Sequence, residues 1–171
     1  MALFALGLSF PSLVPFLQVK HEAFDGLGSV SFKVDATTLS VGFSLKKVPA
    51  GSSPRGCTDI PGGTSVQSPF LLAETETTSA LWSAVSARAE KDGFVLSGRA
   101  LPGKDGESPV EGVSWRDAVV WCNALSVQLS IPPVYFTDSS FTEPVRSAAY
   151  LESSGDAVFV RSDASGFRLP S

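Results

Sequence analysis

Two stretches of this sequence, 51–69 (GSSPRGCTDIPGGTSVQSP) and 98–109 (GRALPGKDGESP), are built largely from residues that turn or interrupt a chain. Glycine frees φ, proline fixes it and removes a donor, and serine competes for backbone hydrogen bonds, so neither stretch prolongs a helix or strand. Over the whole chain Gly, Pro and Ser supply 53 of 171 residues. The fold must therefore consist of short regular elements joined by long loops, and loops of that length are functional or tied down by their surroundings. A core is still affordable, since 43% of residues are hydrophobic.

The apolar runs between the loops divide by period. Val30, Phe32 and Val34 alternate with polar residues, as do Leu39, Val41, Phe43 and Leu45, and the two runs joined through 36–38 predict a β-hairpin with one buried face. Phe70–Ala73 predicts a short strand. A helix is expected over 78–90, with Thr77 or Thr78 as cap, Leu81, Trp82, Val85 and Ala89 as its buried stripe, and Gly93 at its left-handed end. The clearest local signal covers 114–129. Ser114 caps, Asp117 follows three residues later, and Trp115, Ala118, Cys122, Leu125 and Leu129 share one face until Pro132 and Pro133 stop the helix. Beyond it, 134–136 and 158–160 predict two short strands. The fold class is α+β, with short strands, two helices and long loops.

Inventory narrows the chemistry. Thirteen Lys and Arg against 17 Asp and Glu give a net charge of −4, with no basic stripe for a phosphate backbone, so no nucleic-acid partner is expected. His21 is the sole histidine and no G-x-S-x-G turn surrounds a serine, which removes the usual hydrolase triads. No metal site and no catalytic residue is assigned. Cys57 and Cys122 cannot form a local redox or zinc motif, although they could pair in space. Cys122 falls on an apolar helix face and reads as a small hydrophobe, whereas Cys57, in a loop, is the more reactive thiol. Glu74, Glu107 and Asp156 read as solvated carboxylates. Glu76 stands between a strand and a helix start, where a carboxylate meets free N–H groups. Trp82, Trp115 and Trp121 are spaced for core packing.

The N-terminal run ALFALGL is followed by Pro11 and Pro15 and has no cation before Lys20, so it does not make a membrane span. A degenerate signal peptide, an apolar strand and the tail of a longer chain all remain open, and with them an exported or a cytoplasmic location.

Five segments carry a resemblance. Ser68–Thr78, running on to Leu81-Trp82, is similar to "F-x-I-x-x-x-E-V-T-x-x-x-W/Y" of the formylglycine-generating enzyme (sulfatase-modifying factor) family, with Glu76 on its Glu and Thr77 where Val is usual. Ser108–Ala118 resembles "H-P-V-x-x-V-S-W-x-D-A", and Trp121–Ser126 resembles "[YF]-C-N-W-L-S". Val48–Gly51 matches "I-P-A-G", and Gly166–Ser171 matches "G-[YF]-R-L-P-T". The resemblance covers 43–171, with 1–42 an apolar segment leading into the first strands of the hairpin.

The resemblance implies a C-type-lectin-like domain of which this chain holds the N-terminal half. Complete members oxidise a sulfatase cysteine with a copper ion held by two cysteines, and bind calcium; both sites lie in the other half, so no cofactor is expected here. Glu76, Thr77, Ser114, Trp115, Asp117, Cys122, Asn123 and Arg168 are expected to hold the fold together. The implied function is a catalytically inactive family domain. A lectin-like module binding a glycan or protein through loops 51–69 and 98–109, and half of a split oxidase, are the alternatives. Lacking a second half, the faces of helices 78–90 and 114–129 are expected to be partly uncovered, which predicts self-association or a partner chain carrying that half.

Replacing Ser114 with Ala removes the cap bond and costs about 1 kcal/mol. Thermal melts of the two proteins check this, and equal stability overturns the capping assignment.

Overall fold

The computed structural model describes residues 5–6, 29–35, 40–52, 65–66, 69–101 and 103–170. Cys57, His21, the 36–39 turn and most of the 51–69 loop lie outside them.

The predicted hairpin is present. Strand β2 (Ser29–Asp35) pairs with β3 (Ser40–Val48) antiparallel along its whole length, with Phe32 opposite Phe43. Val30, Phe32 and Val34 turn inward, as their alternation requires. Strand β6 (Phe70–Ala73) adds to β3, and β1 (Ala5–Leu6) lies between β6 and β9 (Phe167–Arg168), so the sheet order is β2-β3-β6-β1-β9. Part of the N-terminal apolar run is thus a strand inside the sheet. Phe167 carries the last strand into the core: its ring meets Phe32 and Phe43 edge-on at 5.6 and 5.8 Å, while those two stack at 5.3 Å. The ends of the first long loop pair as β4 (Gly51–Ser52) and β5 (Ser65–Val66).

Helix α1 (Ser79–Ala89) begins at Thr78, whose hydroxyl accepts the Leu81 N–H at 3.3 Å. It ends in a Schellman turn. The Phe94 N–H reaches Ala89 O, the Gly93 N–H reaches Glu90 O, and Gly93 takes φ +80°. Helix α2 (Trp115–Gln128) starts at Ser114. The two helices meet through Trp82 and Trp121, whose rings stack 5.3 Å apart and 2° from parallel; the Trp121 Nε1–H also donates to Trp82 O at 3.3 Å.

Four expectations need correction. First, α2 is not striped: every residue from Asp117 to Ser126 is buried, because the sheet and α1 cover one side and later elements cover the other. Second, Trp115 is 47% exposed rather than in the core, since it is the first helical residue and the enclosed run begins only at Asp117. Third, there is another helix, α3 (Ala148–Ser153), capped by Ser147 and docked on α2; six residues are too few to register as a period. Fourth, the apolar faces of α1 and α2 are covered. Leu81, Trp82, Val85 and Ala89, and Ala118–Leu125, all lie under 7% exposure, because the sheet, α3 and the strand β7 (Tyr135–Phe136) enclose them. The two short strands expected from the sequence are present, and β7 pairs with β8 (Phe159–Val160) antiparallel.

Gly166 admits no side chain. A Cβ there falls on the Pro132 carbonyl oxygen, with Ser126 Oγ and Val134 Cγ2 each 3.0 Å away. Gly166→Ala is expected to cost about 1–3 kcal/mol. Gly51→Ala, whose Cβ meets nothing within 4 Å, is the control, expected to stay within about 0.5 kcal/mol. Denaturant titrations compare them, and equal effects would refute the steric account.

Candidate functional site

The segment 103–109 folds over the N-terminus of α1, where backbone N–H groups lack helical partners. Ser79 N–H donates to Ser108 O at 2.8 Å and Ala80 N–H to Gly106 O at 3.0 Å, while Ser79 Oγ accepts the Gly103 N–H at 2.6 Å. Asp105 organises the loop by accepting from Ser108 Oγ, Ser108 N–H and Glu107 N–H, and these bonds hold its carboxyl below the usual value. The segment therefore caps the helix through its backbone, while Lys104–Glu107 stay exposed.

On the other side of α1, its Ser83–Glu90 face and the segment 94–100 form the walls of a cleft of about 630 Å³. Trp82 and Asp117, both buried, are among the residues that line it. Asp117 is wholly engaged. Its Oδ1 accepts the Ser97 N–H at 2.6 Å, and its Oδ2 accepts Ser97 Oγ at 2.5 Å and Ser114 Oγ at 2.7 Å. Ser114 Oγ in turn accepts the Asp117 N–H at 3.1 Å, so the cap and the carboxylate clamp each other and pin 97 to α2. Ser86 Oγ is buried in the cleft wall and has no hydrogen-bond partner.

The remaining motif residues gather elsewhere. Asn123, fully buried, donates through Nδ2 to Tyr135 O and Val145 O at 2.8 and 3.0 Å, and accepts through Oδ1 from Val134 and Tyr135 N–H at 3.2 and 3.1 Å. Ser126 Oγ donates to Cys122 O and accepts the Phe167 N–H, tying α2 to β9. The Tyr135 hydroxyl accepts the Leu169 N–H at 2.9 Å. Burial, and then the neighbouring Cys122, push that phenol up to about 12 against the opposing pull of the Leu169 bond and the Arg168 charge. Cys122 is a free thiol, and its burial alone raises it to about 12.

Of the motif residues, the structure thus joins Ser114 with Asp117, and places Cys122, Asn123 and Arg168 around Tyr135. Thr77 is buried and its carbonyl accepts the Val110 N–H. Glu76 stands apart: Thr78 caps α1, and the Glu76 carboxylate makes no hydrogen bond among the described residues. Glu74 pairs with Lys46, and Asp156 with Arg116, which also holds Glu152. Sequence reasoning missed Ser97 and Ser86. Neither carries a local signal, since one matters through a contact with α2 and the other through lacking one. Among the described residues no three His, Cys, Asp or Glu side chains cluster to hold a metal ion, and no helix is long and apolar enough to cross a membrane.

No protein-family model matches the chain. Among curated proteins it is similar to the chaperone protein LppX of Paenibacillus barcinonensis, 36% identical over 67 residues, or 39% of this chain and 24% of that protein. Among solved structures it resembles Treponema denticola variable protein 1, at 27% identity and TM-score 0.54, covering 82% of this chain and 53% of that one. It also resembles CarF, at 30% identity and TM-score 0.58, covering 73% of this chain and 51% of CarF. The chain spans about half the length of these two structures. Both have formylglycine-generating-enzyme-like, C-type-lectin-like folds, and the present α+β fold is of that class.

The buried thiol has a measurable signature. Its folded value lies above the ordinary 9.0, so the unfolded chain releases the proton first. The stability this confers is complete below pH 9 and is lost as pH rises toward 12. At pH 10 the thiol accounts for a loss on the order of 1 kcal/mol. Melting curves from pH 8 to 10 should fall less steeply for Cys122→Ala than for the unaltered protein. Parallel curves would mean the thiol is accessible.

Proposed function

We propose that this chain is a non-catalytic, polypeptide-binding module built on the formylglycine-generating-enzyme-like fold. One observation carries the first half of this reading: Asp117 and Asn123, two of the side chains that bear the family resemblance, are spent on other groups of the same chain. Asp117 accepts three hydrogen bonds from Ser97 and Ser114. Asn123 uses both donors and both lone pairs on four backbone groups. None of these groups is left to act on a substrate.

The copper chemistry of complete family members needs cysteine thiolates as soft ligands. Cys122 does not fit that part. It is 1% exposed, enclosed in the core, and its thiol is held protonated well above neutral pH. No step is therefore routed through copper at this residue.

Support for a polypeptide ligand comes from two sides. The curated protein with the matching stretch bears the name of a chaperone, a class that works by holding another chain. The cleft beside α1 is of the size that takes a ligand, and it stands apart from the buried cluster at Tyr135.

The full chain is incubated with copper(I), oxygen and a sulfatase-derived cysteine peptide, and the peptide is weighed by mass spectrometry. The expected product is unmodified peptide. Loss of mass matching formylglycine would overturn the non-catalytic reading and favour half of an oxidase.

A further inference from the structure

Phe159 and Val160, 42% and 50% exposed, are neighbours in β8, the outer strand of a small sheet. Strand β7 lies in the middle of that sheet. On its far side Thr137 N–H donates to Glu143 O and Val145 N–H to Tyr135 O, each at 2.9 Å, around a bridge from Phe136 to Pro144. On its near side is β8, whose other edge is open. Tyr135, opposite Val160, sends its N–H to Asn123 Oδ1 and its C=O to the Val145 N–H, both away from β8. Arg161 N–H meets Val134 O at 2.9 Å, so Arg161 faces β7, and successive residues of a strand face opposite sides. Val160 therefore turns its N–H and C=O outward, and the alternation carries Val158 the same way. Neither residue makes a hydrogen bond through those groups among the described residues. An unpaired edge bearing exposed apolar side chains is what strand addition uses.

The residues of the edge select the occupant. Phe159 stands directly opposite Phe136 and so on the same face of the sheet, where Phe136 meets Phe141 edge-on at 5.5 Å. Val158 and Val160 take the other face. A matching strand must offer an apolar residue at each of these three places, and β8 itself does so. Aligned antiparallel about Phe159, a second copy sets its Val160 against Val158, its Val158 against Val160 and its Phe159 against Phe159. The two valine pairs then exchange the open N–H and C=O groups, and the phenylalanines fall in the closer, unbonded position. One aromatic row crosses four strands, Phe136 and Phe159 of one copy followed by Phe159 and Phe136 of the other. Charge fixes the direction. The edge is acidic at its start, Asp156, and basic at its end, Arg161. Antiparallel pairing brings Arg161 beside positions 156–157 of the second copy, whereas parallel pairing in register would set Arg161 against Arg161. Both charges already have partners within the chain, Arg116 and Asp163, so they select a direction while the apolar side chains supply the drive.

We propose that β8 is a self-association edge, at which two copies of this chain pair antiparallel about Phe159 as a symmetric dimer. Pairing through one short strand buries less than a standard interface, so the dimer is weak and reversible. The proposal goes beyond the polypeptide-binding reading and uses none of the residues that line the cleft.

Sedimentation of the full chain from micromolar to millimolar concentration tests it. The unaltered chain should pass reversibly from monomer to dimer. Val160→Pro removes the outward N–H and breaks no hydrogen bond of the monomer. Phe159→Lys and Phe159→Glu each set like charges directly opposite one another. Each of the three should weaken dimerisation by about tenfold or more, while the thermal melt of the dilute monomer stays as before. Because residue 159 meets its own copy, an equimolar mixture of Phe159→Lys and Phe159→Glu should dimerise again, a rescue that no other surface would give. An unaltered chain that stays monomeric to millimolar concentration overturns the proposal and leaves the edge to a strand of another protein. A dimer that survives the three variants, or a mixture that stays monomeric, overturns it as well.

Discussion

Asn123 is the group on which the outer part of this molecule depends. Its amide is buried among apolar side chains, where every unpaired donor or acceptor would cost about 1–3 kcal/mol. It meets that condition by bonding two N–H and two C=O groups of segments that follow α2. Those segments are irregular, so they could not satisfy their backbone groups through a long ladder. The amide takes the place of a neighbouring strand. Once Tyr135 and Val145 are fixed to it, β8 has a partner, Val134 O can take the Arg161 N–H, and the chain is returned toward the sheet at Phe167. Ser126, one turn along α2, receives it there.

The same device recurs wherever a loop meets a helix. Ser79, Ser114 and Ser147 each stand at a helix start, and two of them also hold a distant segment. Ser79 takes the Gly103 N–H, and Ser114 shares Asp117 with Ser97. A sequence rich in Gly, Pro and Ser makes few long elements, but short hydroxyl side chains let it fasten its loops to those it has. That explains how a chain with two helices beyond ten residues among its described residues encloses α2 from Asp117 to Ser126.

What the sequence revealed follows from which interactions are local. The hairpin, the strand 70–73, both long helices and their caps are set by side chains within a few positions of each other, and these were readable. The contacts that decide enclosure are not local. Trp115 fits the apolar face of α2 by spacing, yet it is exposed because the enclosed run begins two residues later, at Asp117. Helix α3 is too short to show a period, and its cap at Ser147 resembles any loop serine. Ser97 gains its role only because α2 brings Asp117 to it.

This separation bears on what a motif match means. The residues similar to the formylglycine-generating enzymes are those that clamp helix starts, hold irregular strands and pack between sheet and helix. Their physical task is the same whether or not a reaction occurs elsewhere on the domain, because a buried amide needs four partners in any case. Such a match therefore speaks to the fold, as the two solved neighbours also do. Function must be argued from groups that the fold leaves unspent.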